Sequence, residues 1–187
     1  MRPLIVTEFV SLDGVMEAPG GEVGYPHAGW VGPLFTPDLG AYKEDEQLAA
    51  DVLLLGRKTY ESFYGAWPHR DGAMAEKINT MRKVVASTTL GSSDWHHTTV
   101  IASDLEGAVR ALKQEEGGPI LVAGSRSVVH TLLGAGLVDE VHLQVFPLVL
   151  GSGIRVFPDT PEPIRLEHLA SRPTDNGVVL QTYRVAG

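Results

Sequence analysis

Two stretches of this chain join a buried strand, a glycine and a cation in one run. The first is Val52-Leu53-Leu54-Leu55-Gly56-Arg57-Lys58-Thr59. Its apolar residues, Val52 to Leu55, read as a strand buried on both faces, as in a parallel sheet. Gly56 ends the strand, and Thr59 to Phe63 reads as the first turns of a helix. A helix N-terminus carries unsatisfied N–H groups and the positive end of its dipole, which suits an anion. Arg57 and Lys58 add formal charge there and Thr59 adds a hydroxyl donor, so the chemistry is that of phosphate binding. A strand-to-helix turn with two solvated cations satisfies the same string. The second stretch, Ile120-Leu121-Val122-Ala123-Gly124-Ser125-Arg126-Ser127, repeats the arrangement and suits a pyrophosphate. Gly-x-Gly-x-x-Gly is absent, which disfavours a Rossmann dinucleotide domain.

Acids and ring-binding groups are fewer. Asp13, in Ser11-Leu12-Asp13-Gly14, sits either in a plain turn or at the edge of a site. Glu46 shares a helical stripe with Leu39, Tyr42 and Ala49, where an acid is costly unless it finds a partner. A solvated helix edge is the alternative. Residues 17–35 are rich in glycine and proline, and a loop this long inside a compact domain is usually a lid or a binding loop. Tyr25, His27 and Trp30 within it suit closure over a flat heterocycle; an ordinary surface loop is the other reading. Ser87-Thr88-Thr89 ends a short strand with hydroxyls. Trp95-His96-His97 lacks the i,i+4 spacing of metal-binding histidines, and no metal site is expected.

The elements that must position these groups follow from apolar periodicity. Strands are expected at 4–12, 52–55, 83–86, 100–102, 120–123 and 141–149. Thr36-Pro37-Asp38 opens a helix that runs to about residue 50, with a cap, proline at its first position and an early acid. Ser103-Asp104-Leu105-Glu106 reads as a capping box for a second helix, ended by Gly117-Gly118. A further helix runs from the Gly124 turn through Leu133. Leu166 to Val185 reads as a hairpin around Asp175-Asn176-Gly177. Strand–helix alternation followed by a hairpin predicts an α/β fold, mostly parallel with an antiparallel C-terminal edge, as one domain over 1–187.

The bulk composition narrows the partners. Apolar residues make up 43% and charged residues 20%, as in a soluble globular protein. With 15 basic against 23 acidic residues the net charge is −8, which disfavours nucleic acid. An anionic ligand must therefore find a local cationic patch. The chain has no cysteine, which excludes disulfides and thiolate metal sites. No run approaches the ~18 apolar residues of a membrane span, and Glu8 interrupts any signal-like apolar core. A cytoplasmic protein without membrane contact is expected.

The string Leu55-Gly56-Arg57-Lys58-Thr59-Tyr60-Glu61-Ser62-Phe63 resembles the Gly-Arg-x-Thr-(Tyr/Trp)-Glu-Ser signature of dihydrofolate reductases. Ser11-Leu12-Asp13-Gly14, Gly136-Leu137-Val138-Asp139-Glu140 and Leu150-Gly151 resemble the reductase domain of bifunctional riboflavin-biosynthesis deaminase-reductases. The resemblance covers nearly the whole chain and implies the dihydrofolate-reductase-like three-layer αβα fold. It implies NADPH as cofactor. Gly56, Arg57, Lys58, Thr59, Ser87 and Thr88 would serve the 2′-phosphate and adenosine end, and Gly124, Ser125, Arg126 and Ser127 the pyrophosphate. It implies hydride transfer to a pyrimidine- or pterin-like heterocycle, foremost the ribosylaminouracil phosphate of riboflavin biosynthesis. Asp13 and Glu46 are then the expected catalytic acids, and Trp30 and Phe63 the expected substrate contacts. Gly40 stands where dihydrofolate reductases carry their pterin-binding carboxylate, so dihydrofolate reduction is the alternative, and a non-catalytic nucleotide- or flavin-binding domain a second. The deaminase half of the bifunctional enzymes needs cysteine zinc ligands, which this chain lacks. A homodimer is expected by the same analogy, with the strand at 141–149 placed near a sheet edge.

Overall fold

Buried β-branched and leucine-rich segments assemble into one eight-stranded sheet with the order β4-β3-β2-β5-β1-β6-β8-β7. The fold is that of a computed structural model, and it describes residues 1–186. The strands are β1 (Leu4–Ser11), β2 (Val52–Gly56), β3 (Arg82–Ala86), β4 (Thr98–Ile101), β5 (Ile120–Val122), β6 (Glu140–Phe146), β7 (Leu166–Pro173) and β8 (Val179–Val185). The first six are mutually parallel; β8 runs antiparallel to β6 and pairs with β7 in the expected hairpin.

Side-chain alternation along the strands separates two cores. Val52 and Leu54 of β2 face helices α4 (Leu105–Gln114) and α5 (Arg126–Gly134), where Val109, Leu112, Val128 and Leu132 are buried. Leu53 and Leu55 face the other way, toward Tyr60 of α2 (Arg57–Ala66) and Ile78 of α3 (Ala73–Thr80). Helix α1 (Pro37–Ala49) covers a third cluster, in which Leu39 lies with Phe146, Leu180 and Trp30. Helices on both faces of the sheet give the expected αβα layering.

The structure departs from the sequence reading at several elements. Helix α3 was not foreseen: it has eight residues and only Ala75 and Ile78 are buried, so its periodic signal is short. It is fixed from outside, because the wholly buried Lys83 of β3 donates to the carbonyls of Ile78, Asn79 and Met81 at its C-terminal end. The cap of α4 is Asp104, which accepts from Gly107 N–H, and Ser103 lies outside the helix. Helix α2 begins at Arg57, so both cations belong to its first turn. Strand β6 ends at Phe146 and lies between β1 and β8; the sheet edges are β4 and β7. The expectation of an edge strand at 141–149 is therefore corrected, since the C-terminal hairpin adds two strands beyond it.

Candidate active site

In a parallel sheet all strands deliver their following loops to one rim. Gly56, Ser87, Gly124 and Leu12 follow or end β2, β3, β5 and β1, so they gather there. From β2 the chain leaves through α2 toward β3, and from β5 it leaves through α5 toward β6, in the opposite direction. The pair β2–β5 is thus a switch point of the topology, where open α/β sheets form a ligand crevice.

At this point the two glycine turns interlock. Gly56 N–H donates to Gly124 C=O at 3.1 Å, and the Thr59 and Ser125 hydroxyls lie 3.2 Å apart. A Cβ on Gly56 would stand 2.5 Å from Ser125 Oγ and 2.9 Å from its backbone nitrogen. Gly124 has φ +77°, and a Cβ there would stand 2.8 Å from Thr59 Oγ1. Only glycine permits this approach. It sets the N-termini of α2 and α5 side by side, with Ser125 as the N-cap of α5. Arg57, Lys58, Arg126 and Ser127 stand exposed at these two mouths.

Arg57 also reaches across to the β3 rim. Its guanidinium donates to Thr89 Oγ1, while its Nε is held by Glu61 at 2.7 Å. Ser87 Oγ accepts from Leu90 N–H at 3.0 Å and shapes the turn that carries exposed Thr88. The structure thus brings together Gly56, Arg57, Thr59, Ser87, Gly124 and Ser125, with Lys58, Thr88, Arg126 and Ser127 flanking them.

Residues 2–180 match the RibD C-terminal domain. The chain belongs to this family. Bacillus subtilis (strain 168) YyaP is 30% identical, and the match covers 100% of this chain and 96% of YyaP. Among solved structures, a Shewanella sp. PV-4 protein assigned to riboflavin biosynthesis superposes with a TM-score of 0.75 at 18% identity, covering 99% of both chains. Dihydrofolate reductase from Enterococcus faecalis, solved with NADP(H) and RAB-propyl, superposes with a TM-score of 0.63 at 17% identity, covering 99% of this chain and 97% of that one. The fold of this RibD C-terminal domain is therefore dihydrofolate-reductase-like.

The two acids singled out from the sequence lie in different settings of this RibD C-terminal domain. Glu46 is buried beneath α1 in a polar array: Thr7 donates to it at 2.8 Å, His142 Nδ1 lies 2.7 Å away, and Lys43 pairs with it. Burial pushes its carboxyl up, but the Lys43 charge and the His142 contact outweigh that and hold it at about 2. At neutral pH Glu46 is a fixed anion. Burial works against His142 in the same way, and its two carboxylate neighbours, Glu46 and Glu140, raise it above the ordinary imidazole range. A cleft of about 280 Å³ opens beside this array, lined by Ile5, Tyr42, Glu46, Leu121 and His142 among others. Asp13 lies elsewhere, on the β1 rim, accepting from Ser11 Oγ at 2.6 Å and from the Leu150 and Gly151 amides. The Ser11 bond is the main reason that its carboxyl is lowered to about 2. It ties the loop after β1 to the loop after β6.

The aromatic candidates are packed into the fold. Trp30 is buried edge-on against Phe146, with Nε1 donating to Glu17 C=O at 2.8 Å. That geometry corrects the expectation of a ring free to stack on a ligand. Tyr25 is tethered by its hydroxyl to Ser152 C=O. Phe63 is partly buried against Trp67, beside the α2–α3 core.

Glu8 escaped the sequence reading. It lies on β1 two residues past Val6, where the pairing of β1 with β5 stops. It is 9% exposed, Oε1 has no hydrogen-bond partner, and it lies 3.7 Å from where a Gly124 Cβ would stand. Burial raises its carboxyl to about 8, against opposing effects of Lys43 and the Gly124 backbone. The signal that marks it is an acid at an inward position of a mostly apolar parallel strand, Leu4-Ile5-Val6-Thr7-Glu8-Phe9-Val10.

Proposed function

We propose that this RibD C-terminal domain is an NADPH-dependent reductase of a pyrimidine- or pterin-like heterocycle, foremost the ribosylaminouracil phosphate of riboflavin biosynthesis. The observation that carries the proposal is the pair of interlocked glycine turns at the switch point, with Arg57 and the Ser87–Thr89 hydroxyls gathered beside them. The residues present fit the cofactor. Two helix N-termini and three exposed cations meet the anionic groups of a dinucleotide phosphate, and Gly56 and Gly124 form a cradle that side chains would fill. NADPH supplies a hydride when bound.

The chain's own residues then have separable tasks. Arg57 offers a planar fork to the 2′-phosphate, held in place by Glu61 and Thr89, with Lys58 and Thr88 beside it. The α5 N-terminus, with Ser125, Arg126 and Ser127, holds the pyrophosphate. Asp13 fixes the β1 and β6 loops relative to each other and so shapes the rim. Glu46, ionised at neutral pH, keeps Lys43 and His142 in place under α1 and orients groups there as an anion. By its spacing from the Gly56-Arg57-Lys58-Thr59 turn, Gly40 of α1 takes the position of the dihydrofolate reductase carboxylate, which supports the aminouracil over dihydrofolate.

The test is NADPH consumption in a panel of aminouracils and pterins. Turnover of an aminouracil above that of every pterin is the expected result. Turnover of dihydrofolate alone would reverse the substrate assignment. NADPH that binds and is oxidised by none of them would make this a binding domain.

A further inference from the structure

Glu8 is a burden that the fold relieves only in part: Lys43 and the Gly124 backbone favour its ionisation, burial outweighs both, and Oε1 has no hydrogen-bond partner. A buried carboxyl without partners is stable as the neutral acid. The charged groups that act on it come from α1: Lys43 favours its ionisation and Glu46 opposes it. The Gly124 turn and the side chains around it, Thr59 and Met16, are uncharged.

Its place in the sheet gives this acid a direction. The strands run β3-β2-β5-β1 across the rim. On the cofactor reading above, the 2′-phosphate end lies over β3 and β2, and the pyrophosphate over β5. The other end of the same molecule would continue toward β1, where β5 has ended and the buried Oε1 of Glu8 lies unpartnered beside Gly124. The far end of NADPH is a pyridine ring that carries a carboxamide. A carboxamide has one carbonyl acceptor and an N–H₂ donor; a neutral carboxyl has one O–H donor and one carbonyl acceptor. The two match as a cyclic pair. A carboxylate, with acceptors only, leaves the amide carbonyl unpaired.

We propose that Glu8 is the residue that recognises the nicotinamide carboxamide, its neutral carboxyl giving one hydrogen bond and accepting one. The assignment rests on the NADPH reading and adds a specificity-determining residue to it.

Calorimetric titration with NADPH and with 2′,5′-ADP, which has the 2′-phosphate but no nicotinamide, separates the two. It is run on wild type, Glu8→Gln and Glu8→Ala from about pH 6.5 to about pH 9.5, to span the titration of Glu8. Wild-type affinity for NADPH should fall roughly tenfold as Glu8 ionises. Glu8→Gln, whose amide keeps a donor and an acceptor at every pH, should bind NADPH and lose that fall. Glu8→Ala should weaken NADPH about tenfold and leave 2′,5′-ADP unchanged. Because His142 and Lys83 are present in all three proteins, their titration cancels in the comparison. Equal binding of 2′,5′-ADP by each protein reports an intact fold, and Glu8→Gln alone decides if Glu8→Ala fails to fold. Identical pH profiles in wild type and Glu8→Gln, or the same fall with 2′,5′-ADP, would overturn the role of Glu8 and leave the NADPH reading standing. Failure of wild type to bind either probe would remove both.

Discussion

On the proposed function, Arg57 is the residue on which cofactor choice would turn. The chain is acidic, so long-range attraction does not recruit a phosphate and a local fork must do so. Charge-assisted hydrogen bonds contribute roughly 1.5–3 kcal/mol each. Arg57→Ala should therefore weaken NADPH roughly ten- to a hundredfold and leave NADH nearly unchanged, as measured by calorimetry. Equal losses would place Arg57 on the shared pyrophosphate. Glu46 acts on stability. Its folded pKa of about 2 lies below the ordinary carboxylate value, so its contribution is present above pH 4.5 and is lost as pH falls through about 2. Removing it strands the Lys43 ammonium beneath α1, and Glu46→Ala should cost about 3–5 kcal/mol in urea unfolding at pH 7. His142 runs the opposite way. Its folded pKa is raised, so its contribution is complete below 6.5 and is lost as pH rises through the folded value. Glu8 behaves like His142 in sign: its stability contribution is full below pH 4.5 and drains away up to about pH 8. Each pH unit crossed in that window amounts to about 1.4 kcal/mol. Glu8→Gln should therefore gain stability over wild type at pH 8 but not at pH 4.5.

At the scale of elements, the two strand–glycine–helix units were legible because each is a dense local signal. Val52 to Leu55 and Ile120 to Val122 are apolar without interruption, and each is followed by glycine and polar helix-mouth residues. What the sequence does not display is that β5 inserts between β2 and β1, 64 residues after the end of β2. Only that insertion interlocks Gly56 with Gly124 and sets Glu8 beside the Gly124 turn. Helix α3 was hidden because its anchor, Lys83, belongs to the next strand. Trp30 sits in a loop rich in glycine, which reads as open, although its indole fills a core shared with β6. The interlock itself is testable. Gly56→Ala drives a methyl against Ser125 backbone and side chain, so it should lower both the melting temperature and NADPH affinity. Gly65→Ala, within α2 and with open space around it, should do neither.

In the whole molecule the sheet ends in two edge strands, β4 and β7. Strand β7 is exposed along nearly its full length, and Leu169 is 37% exposed on it. An unpaired edge with apolar side chains is a pairing hazard unless something covers it. We expect a second copy of the chain to do so, and light scattering should give twice the 20.1 kDa mass of one chain. A clean monomer at micromolar concentration would contradict that. Among the described residues no helix is long and apolar enough to cross a membrane. The proposed function requires the crevice between β2 and β5 to be a dinucleotide phosphate site. Calorimetric titration of NADPH and NADH into the wild-type protein tests that most directly. One NADPH per chain, bound at least roughly tenfold more tightly than NADH, is the predicted result. No binding of either, or equal affinity for the two, would contradict it.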